Sequence, residues 1–174
     1  MNARISPDFY RRDVLEVAHE LPGMLLVRQF EDGRKLSSRI VEVEAYRGME
    51  DVACHASRGR TPRTEIMFGP GGFIYMYLIY GMYWMLNIVT GDPGQPQAVL
   101  LRGIELASGP GRLTRLYELT GDFYGEDLGT SGRLWLEQHT GEVRVLTGPR
   151  IGIDYAGDYW ASRPWRFTGI LHDR

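Results

Sequence analysis

The stretch Phe73-Ile-Tyr-Met-Tyr-Leu-Ile-Tyr80-Gly81-Met-Tyr-Trp84 decides the class of fold. Apolar and aromatic side chains fill it, broken only at Tyr80-Gly81, where glycine supplies the freedom that a tight turn needs. It reads as two aromatic strands, about Gly72 to Ile79 and Met82 to Thr90, closed by that turn. Strands joined so tightly pair antiparallel. Tyr75 and Tyr77 share one face, the arrangement of core packing. Tyr80 falls at the turn tip, where burial is difficult. Asn87 sits mid-strand among Met85, Leu86 and Ile88, so it needs hydrogen-bond partners.

Upstream, Met24 to Phe30 and Lys35 to Tyr46 read as strands around Asp32-Gly33, a two-residue hairpin signal. Along Arg39-Ile-Val-Glu-Val-Glu-Ala-Tyr46 side chains alternate between faces. Val41, Val43 and Ala45 are expected to face a core, and Glu42, Glu44 and Tyr46 to face the other way together. Two carboxylates and a phenol beside a long loop make a candidate site, and the plainer alternative is a solvated outer face. Arg47 to Gly72 has no clear period and many Gly, Pro and Arg, which predicts a long loop of the kind that is usually functional. His55 lies in it, within Asp51-Val-Ala-Cys-His-Ala-Ser57, either as a local hydrogen-bond partner or as a group of the site. Cys54 reads as a small apolar residue.

Downstream, Asp92-Pro93-Gly94 and Pro96 make a turn, and Ala98 to Ile104 is another apolar strand. Arg102 within it is a charge that needs a partner. Ser108-Gly109-Pro110 opens a helix with Leu113, Leu116 and Tyr117 on one face, closed by Gly121. Arg133 to Leu146 reads as a hairpin. Near the N-terminus, Ser6-Pro7 opens a short helical segment. Asp13, with Glu16 at capping-box spacing, starts a helix bearing Val14, Val17, Ala18 and Leu21, which Pro22-Gly23 stops. The expectation is one compact α/β (α+β) domain over residues 1–174. It has a mostly antiparallel curved sheet, a tyrosine-tipped hairpin and a few flanking helices.

A chain of 174 residues buries roughly 70% of its unfolded surface, so it needs neither disulfide nor metal to stay folded. Cys54 is the only cysteine. His19, His55, His139 and His172 are widely spaced and no CxxC occurs, so no zinc site is legible. The first thirty residues do not read as a signal peptide, and no apolar run nears the ~20 residues of a membrane span. The expectation is a soluble cytoplasmic protein. The net charge of -2 argues against a DNA partner, but its distribution softens the objection. From Val52 to Ile104 the only acids are Glu65 and Asp92, against Arg58, Arg60, Arg63 and Arg102. Such a local patch suits phosphate. Of 20 basic residues only Lys35 is lysine. Arginine forms no Schiff base, so imine chemistry would need Lys35 or the N-terminus.

Taken in order, residues 39–47 (RIVEVEAYR), 50–63 (EDVACHASRGRTPR), Met67-Phe68, 72–89 (GFIYMYLIYGMYWMLNIV), 98–105 (AVLLRGIE), 108–113 (SGPGRL), 148–153 (GPRIGI) and 164–167 (PWRF) form a specific set. With them the chain resembles the alkyladenine (3-methyladenine) DNA glycosylase family. The resemblance implies a monofunctional hydrolase of base-excision repair. Its substrates would be alkylated or deaminated purines (3-methyladenine, 7-methylguanine, hypoxanthine, ethenoadenine) flipped from double-stranded DNA, and it would work without cofactor or metal, as a monomer, nucleoid-associated if bacterial. Glu44 matches the general base that deprotonates water, and Arg102 the residue that helps hold water and nucleotide. Tyr46 and Tyr77 match the rings that sandwich the base, and His55 a residue that stacks on it or hydrogen-bonds it. Asn87 matches the group that screens out guanine. Tyr80 matches the wedge left in the gap, with Met82 beside it. Arg60, Thr61, Arg63 and Met67 fall where the pocket is lined and DNA approached. Between Ile104 and Gly109, where many relatives carry a longer basic insert, there are only four residues. This leaves part of the DNA-backbone contact unaccounted for and the pocket edge more open.

The physics suits these roles. Alkylated purines stack poorly or carry charge, so extruding them costs less, and a ring-lined pocket attracts a cationic base. Two other readings stand beside this one. In a small binding module Glu44 is structural and the tyrosines are core. In a hydrolase of free nucleosides or glycosides, Glu42 and Glu44 form a carboxylate pair.

Overall fold

In the computed structural model, which describes residues 2–172, the longest element is β2 (Lys35–Arg47). One edge of it pairs with β5 (Gln97–Ile104). The other edge takes β1 (Leu25–Gln29) along its first half and β9 (Arg166–His172) along its second. From β5 the sheet continues to β4 (Tyr83–Thr90) and β3 (Ile74–Ile79). β1 leads to β7 (Leu134–Glu137), β9 to β8 (Glu142–Gly148), and the short β6 (Ala107–Ser108) folds back on β5. The nine strands form one curled, wholly antiparallel sheet. With four short helices it makes a single domain of the mixed class expected, mostly strand: α1 (Pro7–Tyr10), α2 (Val14–Glu20), α3 (Pro110–Leu116) and α4 (Asp158–Ala161).

The period of two sorts the sheet into a core face and a site face. Val43, Ala45, Ile74, Met76, Leu86, Ile88, Val99 and Leu101 point to one side, where Val14, Val17, Ala18 and Leu21 from the region of α2 and Leu113 and Tyr117 from that of α3 bury them. Each of the Val, Leu, Ile and Met side chains contributes about 1.5–3 kcal/mol by leaving water. On the opposite face, register builds a row: Glu44 lies across from Leu100, Leu100 from Asn87, and Asn87 from Tyr75. The long segment 48–73 covers this face. It contains no long element, only single helical turns at Gly48–Glu50, His55–Arg58 and Glu65–Phe68.

Several expectations are corrected. Val41 is only half-buried and Ile40 takes its place in the core. The register shifts between Ile40 and Glu42 and again between Glu42 and Val43, leaving Val41 extra in β2 and Arg102 extra in β5. Such paired bulges re-aim side chains beside sites. The turn between β1 and β2 is wider than a two-residue one: the Phe30–Arg34 pair closes a loop of three, residues 31–33. Phe30 N–H donates to Arg34 O at 2.9 Å, and Gly33 takes the left-handed position at φ 89°. Helix α3 ends at Leu116, which is 39% exposed, and Glu118 at φ 52°, not Gly121, makes the left-handed exit. Arg133 to Leu146 is no hairpin, since β7 pairs with β1 and β8 with β9.

The β3–β4 hairpin is anchored at its base by glycines. Gly71 N–H donates to Gly91 O, and Gly91 N–H to Tyr10 O, both at 2.9 Å. A Cβ on Gly71 would meet Tyr10 O at 2.1 Å, and that contact is backbone, with no flexible end to swing away. Gly71→Ala should therefore destabilise the fold by about 2–3 kcal/mol, read as a lower urea midpoint at unchanged slope. An unchanged midpoint would mean the crossing is loose.

Candidate active site

Glu44 is completely buried, with 0% exposure, although it is ionisable and lies on the face away from the core. It is well supplied with partners. Tyr46 OH donates to Oε1 at 2.9 Å, the backbone N–H of Ile151 donates to Oε2 at 2.6 Å, and the Arg102 guanidinium stands 3.6 Å from Oε1. Burial still dominates and raises its pKa above 4.5, against the pull of Arg102 and the two hydrogen bonds. The solvated-face reading fails at Glu44. Glu42 differs: it is partly exposed and binds Arg102 Nε at 3.1 Å, with Arg166 at 3.9 Å. The two carboxylates therefore share a guanidinium between them rather than a proton.

Above Glu44 opens a cleft of about 650 Å³, ample for a nucleobase, and all three partners of Glu44 (Tyr46, Arg102, Ile151) line it. It narrows into a recess formed by Tyr46, His55, Met67, Tyr75, Tyr77 and Asn87. The tyrosines of the hairpin are thus shared between packing and cavity. Tyr75 is buried with Met67, Cys54 and Ala98, and Tyr77 packs against that cluster from the cleft side. His55 stands edge-on to Tyr77, ring centres 4.5 Å apart, and its Nδ1 lies 2.8 Å from Tyr75 OH. Burial, then the nearby Arg63 and Arg58, push its pKa down to about 4, so it is neutral at physiological pH. Burial pushes Tyr46 and Tyr77 upward, which keeps both as phenols. Asn87 Nδ2 reaches Tyr75 O at 3.3 Å and Met85 O at 3.4 Å, long bonds that hold its amide at the recess wall.

Tyr80 occupies the hairpin tip in the left-handed region at φ 51°, followed by Gly81 at φ 64°. Met82 N–H closes the turn on Ile79 O at 3.1 Å. Tyr80 is 86% exposed, and Met82 beside it is exposed too. Arg102, Tyr46, His55, Tyr77, Asn87, Met67 and Tyr80 thus line the cleft or its recess, with Glu44 buried behind Tyr46, Arg102 and Ile151. The arginine loop is gathered less closely. Arg63 stacks on Tyr77 at 5.3 Å and lines an adjoining groove with Arg58 and Thr61. The Thr61 hydroxyl is engaged with Thr64, while Arg60 pairs with Glu65 and lies over Phe68, outside cleft and recess.

Several site residues escape the sequence reading. Tyr75 looks like simple core, and only its contact with His55 shows otherwise. Ile151 contributes a backbone N–H, which no side-chain pattern can signal. Asp51 and Arg150 form a fully buried ion pair beside Tyr46, joined across 99 residues of chain. Among the described residues no three His, Cys, Asp or Glu side chains are grouped to hold a metal ion, and no helix is long and apolar enough to cross a membrane.

A buried carboxylate under a cleft walled by tyrosines, next to an exposed aromatic tip, defines a class of site built around a planar ring. Comparison with known proteins makes the class specific. The methylpurine-DNA glycosylase family profile matches residues 8–108 and 103–170, and the chain belongs to that family. Relatives whose names provisionally designate them 3-methyladenine DNA glycosylases include one from Methanocella arvoryzae, 46% identical over 92% of this chain and 89% of its own length. One from Myxococcus xanthus is 48% identical over 91% and 86%, and one from Sodalis glossinidius 44% identical over 97% and 98%.

Because the folded-state pKa of Glu44 is raised, the stability kept by its protonated form is full below 4.5 and is lost as pH rises through the folded pKa. Glutamine does not titrate. The melting temperature of Glu44→Gln relative to wild type should therefore climb as pH rises from below 4.5 through the raised pKa, then level off. A difference independent of pH would place Glu44 in a more solvated setting.

Proposed function

We propose that the protein is a monofunctional DNA glycosylase of base-excision repair. It hydrolyses the N-glycosidic bond of alkylated or deaminated purines extruded from duplex DNA: 3-methyladenine, 7-methylguanine, hypoxanthine and ethenoadenine. The observation that carries this is the placement of Glu44, fully buried, hydrogen-bonded by Tyr46 and Ile151 and flanked by the Arg102 guanidinium at 3.6 Å, all three of which line the ring-walled cleft. A carboxylate offers about four lone-pair sites. Two are taken by Tyr46 and Ile151, Arg102 stands beside Oε1 as a charge, and a remaining site suits one water molecule.

In the reaction the purine lies in the cleft between Tyr46 and Tyr77, which both line it, with its edge toward the recess. The bond from the sugar to the base nitrogen lengthens, and its electron pair leaves with the base. Positive charge develops on the sugar, which the Glu44 carboxylate stabilises electrostatically. Water adds to the sugar carbon and gives its proton to Glu44, leaving an abasic site. An N-alkylated purine departs neutral because it already carries the positive charge. The Tyr75 hydroxyl, 2.8 Å from His55 Nδ1, is taken as the donor of that bond. That leaves the imidazole proton on Nε2, a donor for a base acceptor. Asn87 at the recess wall opposes the guanine amine, and 7-methylguanine, which keeps that amine, reacts through its cationic, labile glycosidic bond rather than through fit. The sole lysine supports water over an amine as nucleophile. Lys35 lies at the far end of β2, about 30 Å of strand from Glu44, over Trp135. Tyr80, with Met82, is positioned to enter the gap left by the base, while Arg63, Thr61 and Arg60 approach the DNA backbone.

Duplexes carrying a single ethenoadenine, hypoxanthine or methylated purine should yield abasic sites with the wild-type protein. Glu44→Gln should excise at least about a hundredfold more slowly while still binding an abasic-analogue duplex. Turnover retained by that variant, or no product from any lesion, defeats the reading. Tyr80→Ala should leave stability within about 0.5 kcal/mol, because the ring is exposed, yet reduce the fluorescence change of a base analogue on extrusion. An undiminished signal would remove the wedge.

A further inference from the structure

We infer that the buried Asp51–Arg150 ion pair is a positioning device for Glu44, acting through Ile151 and Tyr46. This rests on the reading of Glu44 as the group that activates water.

The pair is built with unusual completeness. Arg150 Nη1 lies 2.5 Å from Asp51 Oδ2 and Nη2 lies 3.0 Å from Oδ1, both side chains fully buried. Nη1 also donates to Ala45 O at 3.1 Å and Nη2 to Trp160 O at 3.3 Å. The guanidinium carbon sits 4.9 Å from the centre of the Tyr46 ring and 4.9 Å from that of Trp165. Asp51 accepts from the backbone N–H of Arg47 at 2.9 Å and of Ala53 at 3.1 Å. The pair therefore ties together the end of β2, the start of the loop carrying His55, and the segment 148–153.

Both hydrogen-bond donors to Glu44 hang from this clamp. Ile151 is the next residue after Arg150, and its N–H is the donor to Oε2. Tyr46, whose hydroxyl is the donor to Oε1, has its ring held by the guanidinium itself. A buried ion pair is a poor route to stability, because desolvating two charges consumes most of their attraction. This one also leaves Arg150 Nε buried without a partner among the described residues. A structure that only needed filling would do better with apolar side chains. What the pair supplies is a fixed geometry for two donors, at a place where misplacement of an ångström costs rate.

The groups facing Glu44 are few. Glu42 and Tyr46 come from its own strand, Arg102 from β5, Arg166 from β9 opposite it in register, Tyr77 from β3, and Ile151 N–H from the segment after β8. Arg102 and Arg166 are not held by the clamp. Loosening the clamp thus withdraws donors from the carboxylate while leaving those cations in place. Fewer donors favour the protonated form, so the acid limb of the rate–pH profile must move to higher pH.

The test uses single-turnover excision of ethenoadenine from a duplex across a range of pH. It compares wild type, Glu44→Gln, Asp51→Asn and the double variant Asp51→Asn with Arg150→Met, which removes both charges and leaves no unpaired ion in the core. Circular dichroism checks folding. The expected result for the folded Asp51 variants is a rate constant lower by about tenfold to a hundredfold. In the double variant, where no freed guanidinium pulls the other way, the acid limb should be displaced upward, with affinity for abasic-analogue duplex within about threefold of wild type. A merely structural pair would lower the melting temperature and leave the acid limb of the folded protein where it was. That outcome, with wild type active and Glu44→Gln inactive, overturns the positioning role alone. An inactive wild type or an active Glu44→Gln overturns the reading of Glu44 and the inference with it.

Discussion

Removing a carboxylate from water is the constraint on which the rest of this structure depends. An isolated charge in a protein interior is costly, and Glu44 is tolerated because a guanidinium, a phenol and a backbone amide converge on it. Each requires a different part of the fold. The phenol needs strict alternation along β2. The guanidinium comes from the bulged position 102 of β5, directly beside Glu42 and Glu44. The amide needs the 148–153 segment to cross over the end of β2, and the Asp51–Arg150 pair secures that crossing. What emerges is a group with a raised pKa, placed beneath the tyrosine-walled cleft, the combination that the proposed base requires.

The acidic net charge is reconciled with a polyanionic partner by where the charges are used. Arg60, Arg102 and Arg150 are engaged with Glu65, Glu42 and Asp51. Arg58 and Arg63 have no carboxylate partner among the described residues, and both line the groove beside the recess. The positive charge left without a carboxylate partner is therefore local to that groove, and the bulk charge says little about it. The segment between Ile104 and Gly109 contributes no long element here. Residues 107–108 fold straight back onto β5 as a two-residue strand, and Arg39 grips Glu105 with Nε 2.9 Å from Oε2.

Much of this was legible in the sequence because β-structure writes its faces plainly. Glu44 with Tyr46, Tyr75 with Tyr77, and Asn87 against its apolar neighbours all follow from a period of two, and the Tyr80-Gly81 turn from glycine chemistry. The tip and the hairpin were therefore placed correctly. What was lost lies where local pattern carries no information. A one-residue bulge at Val41 moves a core position by one, and alternation cannot foresee it. Strands 134–137 and 142–148 look like a hairpin, yet each prefers a partner more than 100 residues away or beyond the next crossing. Leu116 fits the helical stripe but belongs to the last turn, where the chain exits early at Glu118. The Asp51–Arg150 pair is invisible because its members are far apart in sequence and each alone resembles an ordinary loop charge.

The measurement that tests the central claim most directly is the structure of the Glu44→Gln protein bound to a duplex containing one ethenoadenine. The account predicts the base withdrawn from the helix and stacked between Tyr46 and Tyr77, the Tyr80 ring in its place, and a water within about 3 Å of both residue 44 and the sugar carbon. A base still stacked in the duplex, or lodged away from residue 44 with no water between them, would contradict it.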